Sequence, residues 1–72
     1  MANSAQALEL DTYESVFEAL TSWLRVSTLR SMKIESNAFG LTCKLHESGQ
    51  LQASGRGRHA DEAIANALKE LP

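Results

Sequence analysis

The sequence is poor in several things: one cysteine, one proline, four glycines, one tryptophan, one tyrosine and two phenylalanines in 72 residues. Each scarcity excludes something. A single thiol, Cys43, leaves no partner for an internal disulfide and cannot furnish the cysteine half of a structural zinc site. No apolar run is long enough to span a bilayer, and Met1 to Leu10 lacks the basic start and apolar block of a secretory signal. Cytoplasmic residence without a membrane partner is therefore the expectation. No nucleophile elbow, Walker loop or dinucleotide fingerprint occurs. His46 and His59 stand without an acid at metal-ligand spacing, so neither a metal nor a cofactor is expected. Cys43 alternates in phase with Phe39, Leu41 and Leu45, which marks it as a core thiol rather than a nucleophile. An enzyme is not expected.

What is present suits one small globular domain. Hydrophobic residues make up 43% and charged residues 22%, a balance that supports a core rather than disorder. The net charge is −2, distributed unevenly. Met1 to Leu24 holds only acids (Glu9, Asp11, Glu14, Glu18). Arg25 to His59 holds Arg25, Arg30, Lys33, Lys44, Arg56 and Arg58 against Glu35 and Glu47, and the last segment is acidic again. A mildly basic sheet between two acidic helices follows if the elements fall as read below.

Residues 1–10 are small and polar without a period and read as a flexible start to a domain spanning 11–72. Asp11 is a good N-cap and Glu14 completes a capping-box-like pair. Tyr13, Val16, Phe17, Leu20, Trp23 and Leu24 then form one helical stripe, predicting a helix from Thr12 to Arg25. Phe17 and Trp23 belong to its core side, with an interface as the alternative for one of them. Val26 to Ser31 loses helix propensity and reads either as loop or as the start of a strand. Met32, Ile34 and Ser36 alternate with Lys33 and Glu35. After a turn at Asn37-Ala38, Phe39, Leu41, Cys43 and Leu45 alternate with Thr42, Lys44 and His46. Ser48-Gly49 supplies a hairpin turn, and Leu51, Ala53 and Gly55 give the apolar face of a third strand. A Gly55-Arg56-Gly57-Arg58-His59 loop leads into a helix whose buried face is Ala60, Ala63, Ile64, Ala67, Leu68 and Leu71. The fold class is α+β, ordered α-β-β-β-α, with a three-stranded antiparallel sheet and both helices on one face.

That order, the strand opening Phe39-x-x-x-Cys43, the Gly55-x-Gly57 loop and the final alanine-rich helix resemble the double-stranded-RNA-binding domain. The resemblance implies the same fold and, for its function, lysines after the glycines that clamp phosphates across a major groove. Aligned on the glycines, His59 falls on the family's serine, Ala60 and Asp61 on two lysines, Ala63 on its alanine and Ile64 on the last lysine. The lysines are replaced, and Asn37-Ala38 is shorter than the family's minor-groove loop.

The candidate interaction residues are Arg56, Arg58, His59, Lys33, Lys44 and His46. Glycine-exposed amides, a helix N-terminus and two arginines at the GRGRH loop could hold a phosphate or carboxylate. The competing reading is a glycine-rich connection whose arginines are solvated or pair with Asp61 and Glu62. The other surface is the open sheet face, Lys33, Glu35, Thr42, Lys44, His46, Gln52 and Ser54. A small protein-binding module is the first expectation, and chains of this size include inhibitors or modulators of host proteins encoded by phages and mobile elements. Binding of double-stranded RNA or DNA through Arg56, Arg58, Lys33 and Lys44 is the alternative. A monomer or weak homodimer is expected, with edge-strand pairing as one route.

Overall fold

The computed structural model describes residues 13–72, with side chains from position 14 on. The expected flexible start, the Asp11 cap and the helix start at Thr12 lie outside the described residues. Helix α1 spans Tyr13–Arg25, strands β1, β2 and β3 span Arg30–Asn37, Gly40–Glu47 and Gln50–Gly57, and helix α2 spans Ala60–Lys69. The order is α-β-β-β-α as expected, and the strands form one antiparallel sheet in the order β1-β2-β3.

Both helices cover one face of the sheet. Val16 and Leu20 of α1 and Ala63, Ile64, Ala65 and Ala67 of α2 enclose a core with Cys43 and Leu45 of β2 and Ala53 of β3. Trp23, Leu24, Met32, Leu41, Leu68 and Leu71 pack around it, half-buried. No polar or charged side chain is buried among the described residues. The core is small and rich in alanine, so close approach replaces bulk. At Gly55 and Gly57 the sheet runs so near α2 that an added Cβ would overlap the helix: at Gly57 it would fall 2.7 Å from the Ala63 nitrogen. Ala65, absent from the expected buried stripe, is buried because α2 is flanked by α1 as well as by the sheet, which widens its covered arc.

Several boundaries depart from expectation for local reasons. Val26 to Leu29 is loop, and the strand starts at Arg30. Ser27 organises the connection: its hydroxyl accepts from Leu29 N–H (3.1 Å) and its carbonyl from Arg30 N–H (3.2 Å). The first hairpin turns at Ala38-Phe39, because Asn37 pairs with Gly40 and the Asn37 side chain accepts the Phe39 N–H at 2.7 Å. Phe39 is thereby pushed out of strand phase and stands 95% exposed, contrary to its expected place on the apolar face. The second hairpin turns at Ser48-Gly49 as expected, with positive φ at both residues (54° and 80°), the signature of a type I′ turn.

β3 carries a bulge. Leu45 pairs with Ala53 but His46 pairs with Leu51, so Gln52 has no counterpart. The inserted residue reverses the alternation beyond it. Leu51, expected beside Ala53, therefore lies across from His46 on the open face, 55% exposed. Phe17 is likewise more exposed than its place in the stripe implied. The glycines expected in a loop belong to the end of β3, and only Arg58 and His59 connect it to α2.

Candidate functional site

The face of the sheet turned away from the helices is bare among the described residues. The strand register places the side chains on it. Lys33 pairs with Lys44 and Lys44 with Ser54; Glu35 pairs with Thr42 and Thr42 with Arg56; Ser31 pairs with His46 and His46 with Leu51. Residues directly opposite in a ladder share a face, so Lys33, Lys44, His46 and Arg56 stand together. Arg56, expected at the GRGRH loop, stands on this face, and Leu51 is the member that sequence reasoning placed on the other side. The bulge was not legible in the sequence, whereas the placement of Arg56 follows from alternation with Gly55 and Gly57.

The charges on this face are partly matched. Glu35 takes Lys44 at 3.0 Å and Lys33 at 3.4 Å. Lys44 first, and Lys33 after it, hold the Glu35 carboxyl below the usual carboxylate range. Arg56 has no ion-pair partner among the described residues. The face therefore keeps an excess of positive charge, concentrated toward Arg56.

Arg58 and His59 stand at the end of β3, away from the hairpin at Ser48-Gly49. Together with Asn37, Phe39, Arg56, Glu62 and Asn66, Arg58 lines a depression of about 420 Å³. His59 takes the N-cap position of α2 in extended conformation (φ −126°, ψ 160°), and its side chain makes no capping hydrogen bond. The Arg58 N–H donates instead to the Glu62 carboxylate at 2.7 Å, and Ala63 N–H to the His59 carbonyl at 3.0 Å. The amide that could have met an anion already holds one, supplied by the chain itself. The glycines beside it let α2 approach the sheet closely.

A second depression, about 550 Å³, runs along the outer edge of β3 beneath Asn66, Lys69 and Glu70. The Asn66 side-chain amide donates to the Arg56 carbonyl at 2.6 Å. This bond and the bulge at Gln52 blunt that edge against strand addition. Among the described residues no three His, Cys, Asp or Glu side chains come together, and no helix is long and apolar enough to cross a membrane. Compared with protein-family models, with curated proteins and with solved structures, the chain matches none.

Proposed function

We propose that this chain is a small, non-enzymatic protein-binding module that presents the open face of its sheet to an acidic surface of a partner protein. One observation carries the reading: a face covered by no other described element, where Lys33, Lys44 and Arg56 surround half-buried Thr42 and His46, with exposed Leu51 at the edge. A flat surface with a positive excess and one exposed apolar residue suits an interface whose partner supplies carboxylates. Glu35 fixes the two lysines and favours a partner of defined charge pattern over a uniform polyanion. The modulator of a host protein is the biological role that fits a module of this size.

The second reading is nucleic-acid binding by a distant relative of the double-stranded-RNA-binding domain. It draws support from the shared element order and from exposed Phe39 beside Arg56 and Arg58, an aromatic next to two cations. Against it stand the carboxylate of Glu62 at the helix N-terminus and the engagement of Lys33 and Lys44 by Glu35.

Panning a displayed peptide library on the immobilised protein, followed by NMR titration of the enriched peptides, tests the first reading. Acid-rich peptides that shift Lys33, Thr42, Lys44 and Arg56, and whose binding Arg56→Glu abolishes, are the expected result. Enrichment of nothing, or shifts confined to the helices, would overturn it. A parallel titration with RNA and DNA duplexes separates the alternative. Shifts at Phe39, Arg56 and Arg58 that fade with rising salt would transfer the function to nucleic acid.

A further inference from the structure

The outer edge of β1 has no strand beside it among the described residues, and its hydrogen-bonding phase is known. The Arg30 N–H turns back to the Ser27 carbonyl instead of entering the ladder with β2. In an antiparallel pair alternate residues face the neighbour, so Met32, Ile34 and Ser36, in phase with Arg30, direct their N–H and C=O groups outward. Unlike β3, this edge carries no bulge, and none of these outward groups meets a described side chain. It is a template for another strand.

We infer that the occupant is the β1 edge of a second copy, paired antiparallel about a two-fold axis at Ile34, so that the two sheets become one of six strands. The charge pattern selects this register. Pairing Ile34 with the partner's Ile34 sets Lys33 opposite the partner's Glu35, and Glu35 opposite the partner's Lys33, on the open face. Both are non-hydrogen-bonded pairs, in which opposing side chains stand closest. Sliding the partner by two residues one way would set Lys33 against the partner's Lys33. Sliding it the other way would set Glu35 against the partner's Glu35. A slide by one residue would put the outward groups out of phase. On the helix side the same register joins two copies of Ile34, a large apolar residue left 36% exposed although its cross-strand neighbour Cys43 is fully buried.

The pairing explains why a strand with outward amides alternates Lys-Ile-Glu rather than carrying one sign of charge along its edge. It also joins the two open faces into one continuous surface, although it does not depend on what that surface binds.

Sedimentation equilibrium of the full chain across a wide concentration range, with amide hydrogen exchange at both ends of that range, tests the inference. The expected result is a reversible dimer in which the Ile34 and Ser36 amides gain protection as concentration rises, while the Ser54 amide on the other edge does not. Lys33→Glu places two acid pairs across the axis and should raise the dissociation constant about tenfold. Ser36→Pro removes an outward N–H from an exposed edge position, where proline is tolerated, and should leave a folded monomer by circular dichroism. A wild-type monomer at millimolar concentration would overturn the inference. So would a dimer that Lys33→Glu and Ser36→Pro leave unweakened, or protection that appears at Ser54 instead of Ile34.

Discussion

The Cα of Gly55 lies against the backbone of Ala67, so near that a Cβ at Gly55 would overlap the Ala67 nitrogen and crowd the Ala63 carbonyl oxygen. The obstacle is helix backbone, which cannot swing aside as a side-chain tip can.

Gly55→Ala must therefore lift α2 from the sheet or bend β3. A cost of about 3 kcal/mol, the upper end of overpacking, is expected, against a total on the order of 5 kcal/mol for a domain of this size. Urea unfolding should remain cooperative, with its midpoint lowered to less than half of the wild-type value, since only about 2 kcal/mol is left. Gly49 gives the contrast, since nothing lies within 4 Å of its added Cβ and only its φ of 80° matters. Gly49→Asn, which tolerates that conformation, should stay within about 0.5 kcal/mol of wild type.

The order of elements was legible because each rests on a local pattern: a 3.6-residue stripe over Val16 and Leu20, alternation through Leu41, Cys43 and Leu45, and a turn at Ser48-Gly49. What alternation could not supply was the phase at strand ends. One residue of difference in a turn displaces Phe39, and one inserted residue at Gln52 displaces Leu51. Both errors come from side chain or backbone choices that leave the hydropathy pattern unchanged. At the candidate site, Lys33, Lys44 and His46 were legible for the same reason that β2 was. At the GRGRH segment the sequence left two readings open, an anion cradle or a glycine-rich connection, because glycine followed by a helix suits both. The close approach of Gly55 and Gly57 to α2 and the Glu62 carboxylate on the Arg58 N–H are tertiary features that no local pattern displays.

Phe39 tests the turn assignment. At 95% exposure its ring contributes little burial, and Phe39→Ser should change stability by no more than about 0.5 kcal/mol. A strand-phase phenylalanine in the core would instead lose about 3 kcal/mol or more on such truncation. Urea midpoints of the two proteins decide between these outcomes, and solubility should rise with the loss of the ring.

Arg30 joins the end of α1 to the sheet. Its guanidinium lies 4.7 Å from the Trp23 ring centroid and donates to the Trp23 carbonyl at 2.9 Å and to Glu47 at 3.1 Å. The carbonyl lies in the last turn of α1, where its only backbone donor among the described residues is the Val26 N–H at a long 3.4 Å. Arg30→Ala should cost about 1–2 kcal/mol, mostly from that hydrogen bond and the ring contact rather than from the part-exposed ion pair. Arg30→Lys should recover less than half, because an ammonium lacks the planar fork that serves carbonyl, ring and carboxylate together. Trp23 is the single tryptophan, so its emission reports the loss directly: the spectrum of folded Arg30→Ala should differ from wild type, and an unchanged spectrum would contradict the stacking.

Cys43 gives the protein an alkaline limit. Burial pushes its thiol up from the usual range, since a thiolate would lose its hydration between β2 and the helices. In the unfolded chain the thiol ionises at about pH 8.5. Above that pH the unfolded state gives up a proton that the folded state keeps. The unfolded state then binds fewer protons, and stability falls as pH rises until the folded thiol itself ionises. Urea midpoints should accordingly drop between pH 7 and pH 9.5 in wild type and drop less in Cys43→Ala, which removes the titrating group at a cost of about 1 kcal/mol. The same burial should make reaction with a disulfide reagent at pH 8 slow in buffer and fast in urea. Equal alkaline losses in the two proteins, or rapid labelling of the folded chain, would show that Cys43 is not sealed in the core.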